Sequence, residues 1–254
     1  MQYSQSKPYR IGLILMIVFG SLAYLMTLEP IRQDTRYHDF ADQRLFLGTP
    51  NMMDVISNLP FLVVGLWGVA FCINKRCEGA AWILFFLGVA LVGLGSAYYH
   101  WHPNNSTLVW DRLPMTLGFM AMFAAILGES IHERLGRILL VPALLVGVAS
   151  VVYWSVSDDL RFYAWVQFMP LVTIPFVMAL FPCCYSHRWL LLPALGCYMA
   201  AKVFETYDYE IFIWTHSTVA GHAIKHIFAA AGCLIVLGML SRRIKIARSG
   251  SSGN

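Results

Sequence analysis

The sequence predicts an all-α integral membrane protein: a core of seven transmembrane helices preceded by one extra N-terminal helix, eight spans in all. Three observations carry this. Of 254 residues, 58% are hydrophobic and 13% are charged, about half the ~25% charge of a soluble domain, so water cannot face most of the surface. Several apolar runs approach the roughly 20 residues that cross the hydrocarbon layer of a bilayer. Tryptophan and tyrosine gather near the run ends, as at Tyr98, Tyr99, Trp101, Trp110, Tyr153 and Trp154, and such amphipathic rings favour the headgroup level.

The runs fall near 11–27, 53–73, 81–100, 107–127, 136–154, 162–182, 190–206 and 217–240. Lys7 and Arg10 ahead of the first run give it the look of a signal peptide, but no small-x-small cleavage site follows. Residues 1–27 are therefore expected to be a short tail and a retained helix. Residues 28–52 form a polar external segment ending in the turn Gly48-Thr49-Pro50-Asn51, and 53–240 form the seven-helix core. The tail 241–254 is basic, then Gly/Ser-rich, and is expected to be disordered.

Loop charge sets orientation, because positive loops stay cytoplasmic. With the N-terminus inside, eleven basic residues lie on inner segments: Lys7, Arg10, Lys75, Arg76, Arg134, Arg137, Arg188, Arg242, Arg243, Lys245 and Arg248. Four lie outside: Arg32, Arg36, Arg44 and Arg161. Both termini are thus expected inside, which requires an even number of spans. Because the net charge of +4 sits mostly in short loops and the tail, it does not indicate nucleic-acid binding. The bilayer and a membrane lipid are the expected partners, and no protein partner is evident. The six cysteines form no C-x-x-C pair and read as free thiols.

Ionisable residues inside a membrane are costly, so each is a candidate for function. Ser96 and His100, four apart at the end of the third run, share a helix face. His222 and His226 repeat that spacing in the eighth run, which suits two ligands on one metal. Asp111 opens the fourth run. In the N-in topology these three pieces arrive at one depth, near the outer face. Three histidines with an open position is a catalytic zinc arrangement. Zinc lowers the pKa of a bound water to about 7; Asp111 is then placed to take its proton and Ser96 to donate to an oxyanion. Each residue has a plainer reading. Ser96 can pack between helices, Asp111 can pair with Arg112 or cap a helix, and His102 competes with His100 as ligand. Lys202, Glu205 and Lys225 also lie within runs; they suit a carrier, or a core ion pair centred on Glu205.

The combination Ser96-x3-His100, then Asp111, then His222-x3-His226, resembles the alkaline ceramidase family. Asp54-Val-Ile-Ser57-Asn58-Leu-Pro60 is similar to the Ser-Asn segment opening its first core helix, and Asp111-Arg-Leu-Pro114-Met115 to its Asp-Glu-Leu-Pro-Met segment. The resemblance spans about 39–240. It implies one zinc held by His100, His222 and His226, with Asp111 activating water, Ser96 supporting the oxyanion, and ceramide cleaved to a sphingoid base and a fatty acid. It also implies a calcium site before the first core helix, to which Asp39, Asp42 and Asn51 can offer oxygens. Calcium takes 6–8 oxygens, while here Arg44 falls where a neutral ligand is expected and fewer carboxylates are present. Short loops and the lack of a reticulum-retrieval signal are more similar to a bacterial member, in an inner membrane. Two other readings stand beside amide hydrolysis: a lipid ester hydrolase of the same superfamily, and a non-enzymatic seven-helix lipid receptor or carrier.

Overall fold

Ten helices follow one another in the computed structural model of the protein, which describes residues 8–75 and 79–246. They are α1 (Pro8–Thr27), α2 (Met52–Ile56), α3 (Leu59–Asn74), α4 (Ala80–Trp101), α5 (Asn105–Ser130), α6 (Glu133–Ser157), α7 (Arg161–Leu180), α8 (Leu191–Thr206), α9 (Asp208–Trp214) and α10 (Gly221–Arg242). Among the described residues there is no named strand, only two isolated bridges. Lys7, Arg76, Cys77, Arg248 and tail residues 247–254 lie outside the described residues.

Among the described residues, seven stretches are long and apolar enough to span a bilayer: α1, Met52–Asn74, α4, α5, α6, α7 and α10. α8, with 16 residues, falls short of that length but packs along α10 as the eighth member of the bundle. The spans match the apolar runs within a few residues. Two local features were not evident from hydropathy. The second run breaks after Ile56: Pro60, near the start of α3, has no N–H for the carbonyl of Ile56, and Asn58 donates its backbone N–H to Val55 O at 3.3 Å and its Nδ2 to Asp54 O at 2.7 Å. The segment after Thr206 continues as the short helix α9.

Short connections make consecutive helices antiparallel. One end of the bundle gathers the start of α1, the end of α7 and the chain after α10. There Arg10 Nη1 donates to Leu180 O at 2.7 Å, and Arg243 Nη1 reaches Glu129 Oε1 at 2.5 Å. The first residues of the tail are ordered, since Ile246 N donates to Cys184 O at 2.8 Å. At the opposite end, Arg161 bonds the carbonyls of Met26 and Leu28 and pairs with Asp159 at 2.7 Å. Those hydrogen bonds from Arg161 hold the Asp159 carboxyl down at about 2.

α3, α4, α5 and α6 pack in order; α10 joins α3 to α8, and α7 lies against α1, α5 and α6. α4 and α5 approach one another closely. Pro114 has no N–H to give the carbonyl of Trp110 one turn earlier. That carbonyl turns toward α4, where Gly95 leaves room: a Cβ at Gly95 would stand 2.0 Å from Trp110 O. This contact sets Ser96 opposite Asp111. Gly95→Ala is expected to destabilise the protein by about 1–3 kcal/mol and to lower activity, read by thermal unfolding in detergent and turnover; an unchanged melting temperature contradicts this packing.

Candidate metal centre

His100 lies in the last turn of α4, and His222 and His226 lie in the first two turns of α10. Their rings converge, with centroids 4.7 Å (His100–His222), 4.9 Å (His100–His226) and 5.0 Å (His222–His226) apart. One nitrogen from each lies within 4.8 Å of the others, and all three residues are buried. Both ring nitrogens of His100 and Nε2 of His222 have no hydrogen-bond partner. Burying such groups unpaired is unfavourable, and a metal ion held between the three imidazoles would relieve it. This is the donor set of an open, three-ligand site.

Each histidine is fixed by a group outside the ring cluster. Ser57 Oγ donates to Asp54 O at 3.0 Å, so its lone pair accepts from His226 Nδ1–H at 2.7 Å. That fixes the tautomer and leaves Nε2 of His226 for the metal. Asn51 Nδ2 donates to the carbonyl of His100 at 2.9 Å, and Asp208 Oδ1 accepts from the backbone N–H of His222 at 2.6 Å. Phe40, from the external segment, lies 4.7 Å from the His100 ring and 4.6 Å from the His222 ring and shields that side from water. Ser57→Ala is expected to weaken divalent-metal affinity about 10–100-fold, measured by chelator competition; unchanged affinity removes the positioning role.

Ser96 and Asp111 are buried and face one another across the α4–α5 contact. Asp111 is well inside α5, whose cap is Asn104. Arg112 turns away from it: Nη2 donates to Gln33 Oε1 at 2.6 Å, with the guanidinium 4.0 Å from the Trp154 ring and 4.7 Å from the Tyr163 ring. Neither plain reading of Asp111 therefore holds. His102 caps α4, stacks on Trp101 and stands outside the cluster, which leaves His100 as the third donor.

The residues considered for calcium do not fit a shared site. Asp42 gives both oxygens to Arg44, at 2.7 and 2.6 Å. Burial pushes its carboxyl up, but the hydrogen bonds from Arg44 outweigh this and hold it below its ordinary value. Asp39 Oδ1 accepts from Gln43 at 2.6 Å, and Asn51 holds the His100 carbonyl through Nδ2. Arg44 also bonds the carbonyls of Ser217 and Thr218, tying the external segment to the turn before α10. A guanidinium already supplies the positive charge at Asp42.

A cavity of about 190 Å³ adjoins His226. Ser96, Asp111, His226, Lys202, Glu205 and Lys225 line it near the histidine end, and Phe85, Val89, Leu195 and Val236 are among its apolar lining. From His226 to Val236 it follows α10 for roughly 15 Å. α7 and α8 both contribute to its wall but pack on different neighbours. Gln167 Nε2 of α7 donates to Tyr198 Oη of α8 at 2.5 Å.

The family described as Ceramidase matches residues 50–241. The chain belongs to the ceramidase family. The matched span contains Ser96, His100, Asp111, His222 and His226, and it leaves Asp39 and Asp42 outside. Ceramidase membership implies a hydrolase acting on amide bonds in a membrane lipid. No curated protein matches the chain.

Proposed function

We propose that this ceramidase-family protein is a zinc-dependent membrane hydrolase that cleaves the amide of ceramide or a ceramide-like lipid to a long-chain base and a fatty acid. The observation that carries the reading is the shared cavity. Asp111 and Ser96 line the same space as His226, and beyond the charged group Lys202, Glu205 and Lys225 its lining is mostly apolar over a length suited to an acyl chain.

Zinc bound by His100, His222 and His226 supplies a water of lowered pKa and a Lewis acid for the amide carbonyl. Asp111 takes the proton of the attacking water and delivers it to the leaving amine nitrogen. The hydroxyl of Ser96 donates to the oxyanion that develops on the carbonyl. Ser57 keeps His226 in the ligating tautomer, and Phe40 keeps bulk water away. The bias of basic residues supports an N-in, C-in topology with the site toward the outer side, and the short loops support a bacterial inner membrane.

The test is hydrolysis of paired lipids by purified, zinc-loaded protein. Ceramide is expected to release free amine at a higher rate than a matched ester releases alcohol. Alcohol release without amine release moves the reading to an ester hydrolase. Net transport of intact lipid with no cleavage moves it to a carrier.

A further inference from the structure

Glu205 of α8 is shared by two lysines. Lys202, one turn earlier on α8, bonds its Oε2, and Lys225 of α10 bonds its Oε1 at 2.7 Å. Tyr37 donates to Oε1 as well, at 3.3 Å. One carboxylate therefore answers two ammonium groups, and both its oxygens are engaged. An ammonium carries three donors; one from each lysine goes to Glu205, and neither lysine has a second acceptor among the described residues. All three side chains line the lipid cavity, as does Asp111. Asp111 sits on α5 facing Ser96, while the lysines rise from α8 and α10. Lys225 also lies between His222 and His226 in sequence, which brings this charge beside the metal centre.

Charge inside a membrane is unfavourable unless paired or used. A single Lys–Glu pair satisfies a structural role, whereas the second lysine leaves spare donors directed at the cavity. We propose that Lys202, Glu205 and Lys225 form a subsite for an anionic oxygen at the polar end of the lipid cavity. This rests on the lipid-hydrolase reading and deepens it. The ligand group is a carboxylate, phosphate or sulfonate. Its source is either the headgroup of the lipid amide or the carboxylate of the fatty acid released. Glu205 holds the two ammonium groups apart and fixed, so that incoming oxygens meet preoriented donors.

The subsite is tested by binding and by turnover on metal-loaded protein. Palmitate is expected to bind about tenfold more tightly than hexadecanol, the worth of one charge-assisted hydrogen bond. Lys202→Gln should reduce that ratio to about twofold, and Lys202→Arg should keep it; equal metal content in the three proteins shows an intact site. In turnover, an N-acyl lipid with a phosphate monoester headgroup is compared with its neutral hydroxyl analogue through KM. A headgroup source gives a KM ratio that favours the phosphate lipid and disappears in Lys202→Gln. A product source gives no such ratio but weakens inhibition by palmitate in that variant. Equal binding of acid and alcohol by wild type, or a full preference retained in Lys202→Gln, overturns the subsite. Because palmitate binding needs no catalysis, that failure is separate from failure of the hydrolase reading, which shows as no amine release from any lipid amide.

Discussion

Asp111→Asn is expected to keep the metal and lose the reaction, with kcat on a lipid amide falling about 10²–10⁴-fold. The amide has nearly the shape of the carboxylate and sits in the same buried position on α5, where the neighbouring Arg112 is already held by Gln33 and by aromatic rings. Packing is therefore retained. What goes is the ability to take a proton from water and return it to the amine. Equilibrium binding of the lipid should change little, so the loss appears in kcat rather than in Kd. Near-normal turnover in this variant assigns the proton to another group and removes Asp111 from the mechanism.

His222→Ala is expected to lose the metal itself. A three-histidine site reduced to two donors loses more than the 10–100-fold in affinity that follows from removing an outer-sphere partner. The backbone N–H of residue 222 still meets Asp208, at 2.6 Å in the native chain, so α10 keeps its start and the protein should fold. His102→Ala is the control: it lies nearby but outside the cluster, and it should retain full metal. Full metal content in His222→Ala contradicts the site, whatever the activity.

The sequence made the spans and the chemistry legible for different reasons. Spans are visible because lipid demands long apolar runs, and α4, α5, α6, α7 and α10 follow those runs closely. The site is visible because a helix places residues four apart on one face, which pairs Ser96 with His100 and His222 with His226 without knowledge of the fold. Other parts carry no periodic signal. Ser57 is one of many serines in membrane helices, and only the structure puts its hydroxyl 2.7 Å from His226 Nδ1. Phe40 lies in a polar segment, where a single aromatic predicts nothing about a histidine far along the chain. Arg112 adjoins Asp111 in sequence, so an ion pair was the natural expectation. The Trp154 and Tyr163 rings that hold it come from α6 and α7. The three-way sharing of Glu205 also needs α8 and α10 side by side, though the charges themselves were conspicuous.

In the proposed reaction, metal held by His100, His222 and His226 enables cleavage of a lipid amide. The most direct measurement is release of free amine from ceramide by purified protein before stripping with a chelator, after stripping, and after adding back one equivalent of zinc. Stripping is expected to abolish amine release, and zinc to restore it in wild type but not in His222→Ala. Undiminished amine release from metal-free protein would contradict the proposed reaction.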